Sequence, residues 1–437
     1  MNAEVRAIKT PAEQALGAAY ESARAKLPGK GDVAHLREAA FKRFDAAGLP
    51  HRRVEEWKYT DLRALMRDAF PLAAPPGAEA KAKAKDAGKV FASLNARRLV
   101  FVDGAFVPEL SDLTPEAGLT IGSMADALAK GDALVARHVG KVFETDDAAV
   151  ALNTALMGDG AVIQIAAGTE LKRPIHLVFA AGSDTPNASF TRSLIVVGNG
   201  AKALIAESHD GGVAQVNAAL ELVIGDSAQV DYFKAIQTRG LHIGSLLLTA
   251  GAKATFNTFA FNADASLVRN QGFIRFAGEG SHGAIRGVNL LRGKEHVDTT
   301  LLIEHAAGHC DSREQFKSVL DDAGHNVFQG KIVVKPHAQK TDSKMMTRAL
   351  LLSDEAEADN KPELEIFADD VVCGHGATAG ALDPGLKFYL MSRGIDDKQA
   401  EALLIQAFIG ETVEEIAHEG FRDALMGAAL QWLEARG

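Results

Sequence analysis

The fold is decided by AVIQIAAG (residues 161–168), IHLVFAAG (175–182), SLIVVGNG (193–200), LELVIGDS (220–227), SLLLTAGA (245–252) and GFIRFAGEG (272–280). Each run is rich in strand-forming residues and ends in a Gly, Asp or Asn turn, with almost no helical periodicity between runs. The turn glycines Gly198, Gly225, Gly251 and Gly278 are spaced by 27, 26 and 27 residues. Strands repeating at this period predict a parallel β-helix, in which each corner needs a residue that tolerates positive φ or close backbone approach. A β-sandwich or a jelly roll is the alternative architecture.

Helical sequence lies on both sides of this repeat. In residues 1–90 apolar side chains recur every three or four positions, and Asp103-Gly104 between two apolar runs indicates a hairpin near 98–110. The Pro, Ala and Lys stretch at 73–89 is typical of a surface linker. We therefore predict a mostly helical N-terminal domain at 1–155, a β-helix core at 156–385 and a C-terminal helical domain at 386–437.

The C-terminal domain is predicted from an apolar stripe at helical spacing. The stripe consists of Leu404, Ile405, Phe408, Val413, Ile416, Phe421 and Leu425. These helices either cover the open end of the β-helix, which would otherwise expose strand edges, or provide a surface on which a partner docks. The sequence leaves both interpretations open.

Composition excludes several classes of protein. The chain has 437 residues, with 57 acidic and 47 basic side chains and a net charge of −10, which argues against nucleic acid or an anionic membrane as a partner. Two cysteines cannot form a disulfide framework for a chain of this length, which fits a reducing compartment. The first residues, MNAEVRAIKTPAEQ, are charged where a signal peptide is apolar, and no apolar run is long enough to span a membrane. We expect a cytoplasmic protein.

Most short motifs in the sequence give little evidence of function. GEGSHG at 278–283 matches a dinucleotide fingerprint, but the strand-like AIRGVNLL follows where a helix is required. No P-loop occurs, so any ATP would come with a partner. His305 and His309, just before Cys310, have metal-pair spacing on a helix, yet they flank a strand end and are expected to be solvent-facing corner residues. Asp369 and Asp370 leave a carbohydrate-active β-helix lyase or hydrolase as the alternative function.

Cys373 and His375 are the strongest candidate site residues. They stand two apart in VVCGHGATAG, so on a strand both side chains share a face and can hold one iron or zinc ion, and the imidazole can lower the pKa of the thiol. Iron-sulfur clusters usually take four protein ligands, so either other turns of the same chain or a second chain would have to complete the site. The alternative is a buried cysteine and a hydrogen-bonded histidine in a glycine-rich corner.

The segment around this pair resembles a known family. KPELEIFADDVVCGHGATAGALD (361–383), followed by FYLMSRGI (388–395), resembles the signature of the SufB/SufD family of iron-sulfur cluster assembly proteins. QKTDSKMMTRALLLSDEAEADNKP (339–362), RRVEEWKYTDLRAL (52–65) and LVFVDGAFVPELS (99–111) agree with it. The latter strings and the two-cysteine content are nearer to the SufD side of the family, because SufB-like chains are usually longer and richer in cysteine.

The resemblance implies a right-handed parallel β-helix between two helical domains, in a non-catalytic assembly subunit. Such a chain pairs with SufB through the β-helix edges and binds the ATPase SufC through its C-terminal helices. By position, Cys373 and His375 fall at the SufB interface where the nascent cluster forms, and they are the candidate ligands for iron. Cys373 is not assigned a persulfide role, and the role of Cys310 stays open.

The resemblance also sets expectations for cofactors and association. It implies no tightly bound cofactor in the isolated chain, a transient iron ion or iron-sulfur cluster in the complex, and participation in the step at which iron enters. A flavin on the complex is left open. So is a homodimer in the absence of SufB, because exposed sheet edges invite pairing.

Overall fold

The computed structural model describes residues 9–436. The first eight residues, which belong to the stretch used above to argue against a signal peptide, lie outside the described residues. Seven helices come first among those described: α1 Pro11–Ala23, α2 Asp32–Ala47, α3 Leu62–Leu65, α4 Ala78–Ala84, α5 Met124–Lys130, α6 Ala133–His138 and α7 Ala148–Leu156. Short 3₁₀ turns occur at Glu55–Trp57, Lys89–Leu94 and Pro108–Leu110.

The strands begin within this helical region and continue to residue 380. They are β1 Arg97–Val102, β2 Ala105–Phe106, β3 Leu119–Ser123, β4 Ala161–Ile165, β5 Ile175–Ala181, β6 Asn187–Val197, β7 Lys202–Ile224, β8 Gln229–Ala250, β9 Thr255–Ala263, β10 Leu267–Phe276, β11 His282–Leu291, β12 His296–His305, β13 Asp311–Leu320, β14 His325–Val334, β15 Asp342–Leu351, β16 Glu357–Ile366 and β17 Val372–Gly380. Three helices follow: α8 Pro384–Ser392, α9 Asp397–Val413 and α10 Glu419–Ala435.

Parallel pairing confirms the solenoid and excludes the sandwich and the jelly roll. From β8 onward one sheet contains the second half of β8 with β10, β12, β14 and β16. The opposite sheet contains the first half of β8 with β9, β11, β13, β15 and β17, and each strand is parallel to the one a full turn earlier. The chain passes from one sheet to the other at every corner. β7 and β8 continue through a corner, at Gly211 and Gly240, where φ is +128° and +137° and a Cβ would collide with the carbonyl of Ala181 or Ala214.

Close backbone approach, and not positive φ, explains the repeating turn glycines. A Cβ on Gly278 would lie 2.0 Å from the Ala252 nitrogen, and one on Gly251 would lie 2.9 Å from the Asp226 nitrogen in the turn below. The left-handed backbone conformation occurs two residues later in each corner. The four residues that adopt it are Gly200, Ser227, Lys253 and Gly280, with φ of +67°, +56°, +56° and +71°, so two of the four are not glycine.

The two chain ends cover different parts of the solenoid. β1 and β2 form an antiparallel pair around Asp103 and Gly104, and β1 is also parallel to β5, so the N-terminal region contributes a strand to the core. The predicted linker at 73–89 is wrong in part, since it contains α4. Ala80 and Ala84, four residues apart on one helical face, are buried against the valines of β1 and β5 while the lysines face outward.

The C-terminal helices lie along the flank of the solenoid. Ile405 of α9 and Phe421 of α10 are buried against the outward side chains of β8, β9, β11 and β13, including Phe233, Phe259 and Val288. The capping interpretation is therefore wrong. Among residues 9–436, β16 pairs only with β14 and β17 only with β15, so the outer edges of both final strands are unpaired.

Candidate functional site

Cys373 and His375 lie on β17, the final strand of the solenoid. Cys373 is opposite Ser343 in the ladder and His375 is opposite Met345. The Cys373 side chain is half-buried and packs against the interior apolar cluster, whereas His375 is exposed. Because alternate residues of a strand share a face, both side chains are directed to the interior side of the open end.

The electrostatic environment keeps the Cys373 thiol protonated. Burial raises the pKa of the thiol, and the nearby carboxyl groups of Asp342 and Glu314 raise it further, while the Ser343 backbone N–H opposes them. The pKa of the thiol is therefore raised, in the opposite direction from the lowering that a neighbouring imidazole could produce. A bound metal ion, or a cationic group from a partner, would therefore be needed to favour the thiolate.

A buried carboxyl group lies in the solenoid below this pair. Glu314 of β13 is opposite Met345 of β15, which is itself opposite His375. Glu314 is almost fully buried, and neither carboxyl oxygen has a hydrogen-bond partner within residues 9–436. Burial outweighs the lowering effect of the Arg313 charge and raises the pKa of Glu314 to about 8. Sequence reasoning missed this residue, although the alternation Ser312, Glu314, Phe316 could have placed it inside.

His305 is also an interior residue, so the expectation of a solvent-facing corner position is wrong for it. Its Nε2 lies 3.1 Å from the Ser312 hydroxyl, which is 2.6 Å from the hydroxyl of Ser343, the ladder neighbour of Cys373. Burial lowers the pKa of His305 to about 4. His309 does occupy an exposed corner, with φ of +56° and Glu279 at 3.7 Å. The two histidines therefore do not form a metal pair.

Cys310 has a structural role in a corner of the coil. Its side chain is buried, and Sγ lies 3.3 Å from the Gly278 carbonyl, 3.4 Å from the Gly308 carbonyl and 3.3 Å from the Ser281 hydroxyl. A weak thiol donor in this position satisfies buried carbonyl groups at neighbouring turns. These contacts link the corner after β10 with the corner after β12.

The remaining motif candidates lie in corners as well. GEGSHG connects β10 directly to β11, so no helix begins there. Asp370 forms an ion pair with Lys340, and its backbone N–H donates to Gln339 Oε1 at 2.9 Å in the preceding corner. Asp369 is exposed beside it. These contacts give Asp370 a role in holding successive corners together.

Two exposed apolar surfaces lie near the C-terminal end. The terminal rim comprises the outer edges of β16 and β17 with Ile366, Phe367 and Val372, the last 61% exposed. The α8 surface comprises Leu386, Phe388, Tyr389 and Met391, with Phe388 72% exposed. Clustered apolar residues at a surface mark sites where another protein binds. Within the described residues, no helix has both the length and the apolar character needed to cross a membrane.

These features define a parallel β-solenoid with helical flanks, whose last strand carries a thiol and an imidazole at an open edge. Comparison with known proteins agrees. Residues 178–408 match the SufBD core domain of SUF system FeS cluster assembly, and residues 12–177 match the SufBD protein N-terminal region. The chain belongs to the SufBD family, which confirms the resemblance seen in its sequence.

Three curated relatives illustrate the similarity. An iron-sulfur cluster assembly SufBD family protein of Synechocystis sp. is 32% identical over 426 residues, which is 93% of each chain. The iron-sulfur cluster assembly protein SufD of Escherichia coli is 32% identical over 387 residues, covering 87% of this chain and 88% of that protein. SufD of Bacillus subtilis is 28% identical over 286 residues, covering 63% of this chain and 64% of that protein.

Proposed function

We propose that this chain is a non-catalytic subunit of a cytoplasmic SUF complex that assembles iron-sulfur clusters. It pairs with SufB through the terminal rim and receives SufC on the C-terminal helices. The observation that carries the proposal is the open end of the solenoid, where unpaired strand edges, exposed apolar residues and the Cys373 and His375 pair occur together. Membership of the SufBD family supports the same conclusion.

Pairing through the rim follows from backbone hydrogen bonding. A strand edge presents a row of N–H and C=O groups, and a second β-solenoid can satisfy them by continuing the sheet. Phe367 and Val372 flank this edge and would be buried in the same contact. In the absence of SufB, the same edge would accept a second copy of this chain.

Cys373 and His375 provide half of a cluster site. One thiol and one imidazole leave iron without a complete ligand set, so the partner has to contribute the remaining ligands. Because the Cys373 thiol is protonated in the isolated chain, iron as cargo would be held only transiently until the partner completes the site. This arrangement supports a role at the step where iron enters the complex.

Binding of SufC is supported by the α8 surface. Leu386, Phe388, Tyr389 and Met391 leave a large apolar area of this short helix uncovered. Lys387 on the same helix forms ion pairs with Asp397 and Glu401 of α9, both at 3.1 Å, which fixes α8 against α9. SufC would bring the nucleotide site, because the sequence has no P-loop.

Co-expression with SufB and SufC tests the proposal. A double variant of the rim, Phe367→Asp with Val372→Asp, is expected to lose SufB and retain SufC, and Phe388→Asp with Tyr389→Asp is expected to do the reverse. Affinity purification followed by mass analysis of the complex measures both. A wild-type chain that purifies alone in the presence of both partners contradicts the proposal.

The site itself is tested separately from assembly. His375→Ala is expected to leave the complex intact and to reduce the yield of reconstituted cluster, read from its visible absorption. His309→Ala, at an exposed corner, is the matched control. An unchanged cluster yield in the His375 variant would remove that residue from the site.

A further inference from the structure

A second group of metal-ligating side chains lies on the outer face of the sheet that contains β12, β14 and β16. The His325 cluster consists of His296, His325, Glu357 and Asp359. His296, His325 and Glu357 begin three successive strands and are in register with one another, and Asp359 follows on β16. One ligand atom each from His325, Glu357 and Asp359 lie within 4.8 Å of one another.

A chain of hydrogen bonds leads into this cluster from its buried side, where it starts at Asp298. Asp298 is fully buried and accepts hydrogen bonds from Arg269, Thr300 and Thr60. The single hydroxyl proton of Thr60 is used in this contact. Thr60 Oγ1 can therefore only accept from His296 Nε2, which lies 2.9 Å away, and His296 Nε2 must carry a proton.

The hydrogen-bond chain continues through the two imidazoles. In a neutral imidazole a proton on Nε2 leaves Nδ1 with a lone pair that can accept a hydrogen bond. The Nδ1 atom of His296 is 3.0 Å from His325 Nδ1, which must donate. His325 Nε2 then faces the Asp359 carboxylate at 2.9 Å. A neutral His325 would point a lone pair at an anion, so a proton or a metal cation has to lie between these two atoms.

The local charge favours a divalent cation over a proton. Glu357 and Asp359 bring two carboxylates, and within residues 9–436 no basic side chain forms an ion pair with Glu357. The nearby Lys361 is engaged by Glu55 and Glu363, and Lys331 by Glu365. One proton on His325 would balance only one of the two carboxylates, whereas a divalent ion balances both.

We propose that His325 Nε2 and the carboxylates of Glu357 and Asp359 bind one divalent transition-metal ion, with His296 as the hydrogen-bond acceptor that fixes the His325 tautomer. Metal-bound histidines usually donate their other ring N–H to such an outer partner. Ligand bonds of about 2.1 Å at right angles place donor atoms about 3 Å apart, close to the present separation of His325 and Asp359. One imidazole and two carboxylates suit Fe²⁺, Mn²⁺, Co²⁺ or Zn²⁺ and not a soft ion such as Cu⁺.

This site is separate from Cys373 and His375. Glu357 begins β16, whereas Cys373 follows the far end of that strand and lies on the opposite sheet. Glu357 is exposed on the unpaired edge of β16, so water or a partner's side chain can complete the coordination. The inference does not depend on the proposed function, because it rests on the strand register, the distances between ligand atoms and the charge at this cluster alone.

Cobalt provides a direct test, because its visible spectrum reports the ligand set. The full chain, stripped with a chelator, is titrated with Co²⁺ and followed by calorimetry and absorption. We expect one ion to bind with weak d–d bands and without the intense thiolate charge-transfer band that Cys373 would give. The double variant Glu357→Gln with Asp359→Asn is expected to lower the affinity at least about tenfold, and His296→Phe to lower it about 10-fold.

Two control variants make the outcome unambiguous. Cys373→Ser and His309→Ala are expected to bind Co²⁺ as the wild type does, and circular dichroism confirms that each variant is folded. The carboxamide variants are close in shape to the native residues at half-exposed or exposed positions, so they keep the test open if His296→Phe misfolds. Binding that is absent in the wild type, unchanged in the double variant, or lost with Cys373 overturns the inference.

Discussion

Replacement of Glu314 by glutamine removes a buried acid from the solenoid and keeps a side chain of nearly the same shape. The carboxyl group is enclosed by β11, β13 and β15, and its folded-state pKa of about 8 compares with an ordinary value of 4.5. A raised pKa means that the folded chain holds this proton more tightly than the unfolded chain does. The resulting stabilisation is complete below about pH 4.5 and is lost as the pH rises through about 8.

The size of the effect follows from the shift. A difference of 8 − 4.5 = 3.5 pKa units corresponds to about 5 kcal/mol at full ionisation, and to about 3 kcal/mol at pH 7. Glutamine cannot ionise, so Glu314→Gln should match the wild type within about 1 kcal/mol at pH 4.5. It should be more stable than the wild type by about 3 kcal/mol at pH 7.

Urea unfolding between pH 4.5 and 9, followed by circular dichroism, measures this difference at each pH. Groups that do not interact with Glu314 cancel when the variant is compared with the wild type, so the slope of the difference reports Glu314 below the range in which Cys373 titrates. Glu279→Gln, at an exposed corner, is the matched control for replacing a carboxyl group by a carboxamide. A constant difference across this pH range, or a variant that loses stability relative to the wild type as the pH rises, would refute the reasoning.

Three further predictions concern single contacts. Glu221→Ala should destabilise the fold by about 3 to 5 kcal/mol, because it leaves the buried guanidinium of Arg192, now 2.6 Å from the Glu221 carboxylate, without a counter-charge. Thermal unfolding of the variant and the wild type measures this difference. Gly278→Ala should cost about 1 to 3 kcal/mol through its clash with the turn below, whereas Gly77→Ala, with open space around it, should cost much less. In a Cys310→Ser chain the alkylation rate of Cys373 should be low at pH 7 and should increase at a higher pH than the rate of an ordinary thiol does. A fast reaction at pH 7 would contradict the raised pKa.

The sequence predicted those features that repeat along the chain or lie close together within it. The turn glycines gave the solenoid because each one must allow the backbone of the next turn to approach. The spacing of Cys373 and His375 placed both on one face of a strand without knowledge of any neighbour. The helix at 78–84 was missed because alanine and lysine suit a linker as well as a helix, and only the burial of Ala80 and Ala84 decides between them.

Features that depend on stacking between turns could not be predicted in this way. Glu314 appears as one more charged residue in DSREQFK until the ladder with Met345 places it inside. The His325 cluster joins residues separated by 325 − 296 = 29 and 357 − 325 = 32 positions. These later turns of the coil are longer than the early turns, which repeat every 26 or 27 residues. A constant period therefore puts these side chains out of register, and the cluster cannot be recognised without the strand pairing.

The unpaired edges of β16 and β17 have a consequence for the energetics of partner binding. In a stacked coil each turn is held chiefly by its two neighbours, so the last turn, with one neighbour, opens at a lower free energy than the turns before it. Backbone amides of β17 should therefore exchange with solvent faster than those of β13. A partner strand supplies the missing neighbour, so part of its binding free energy appears as ordering of the turn that carries Cys373 and His375. Occupancy of the rim and rigidity of the ligand pair are then two measures of a single coupled equilibrium.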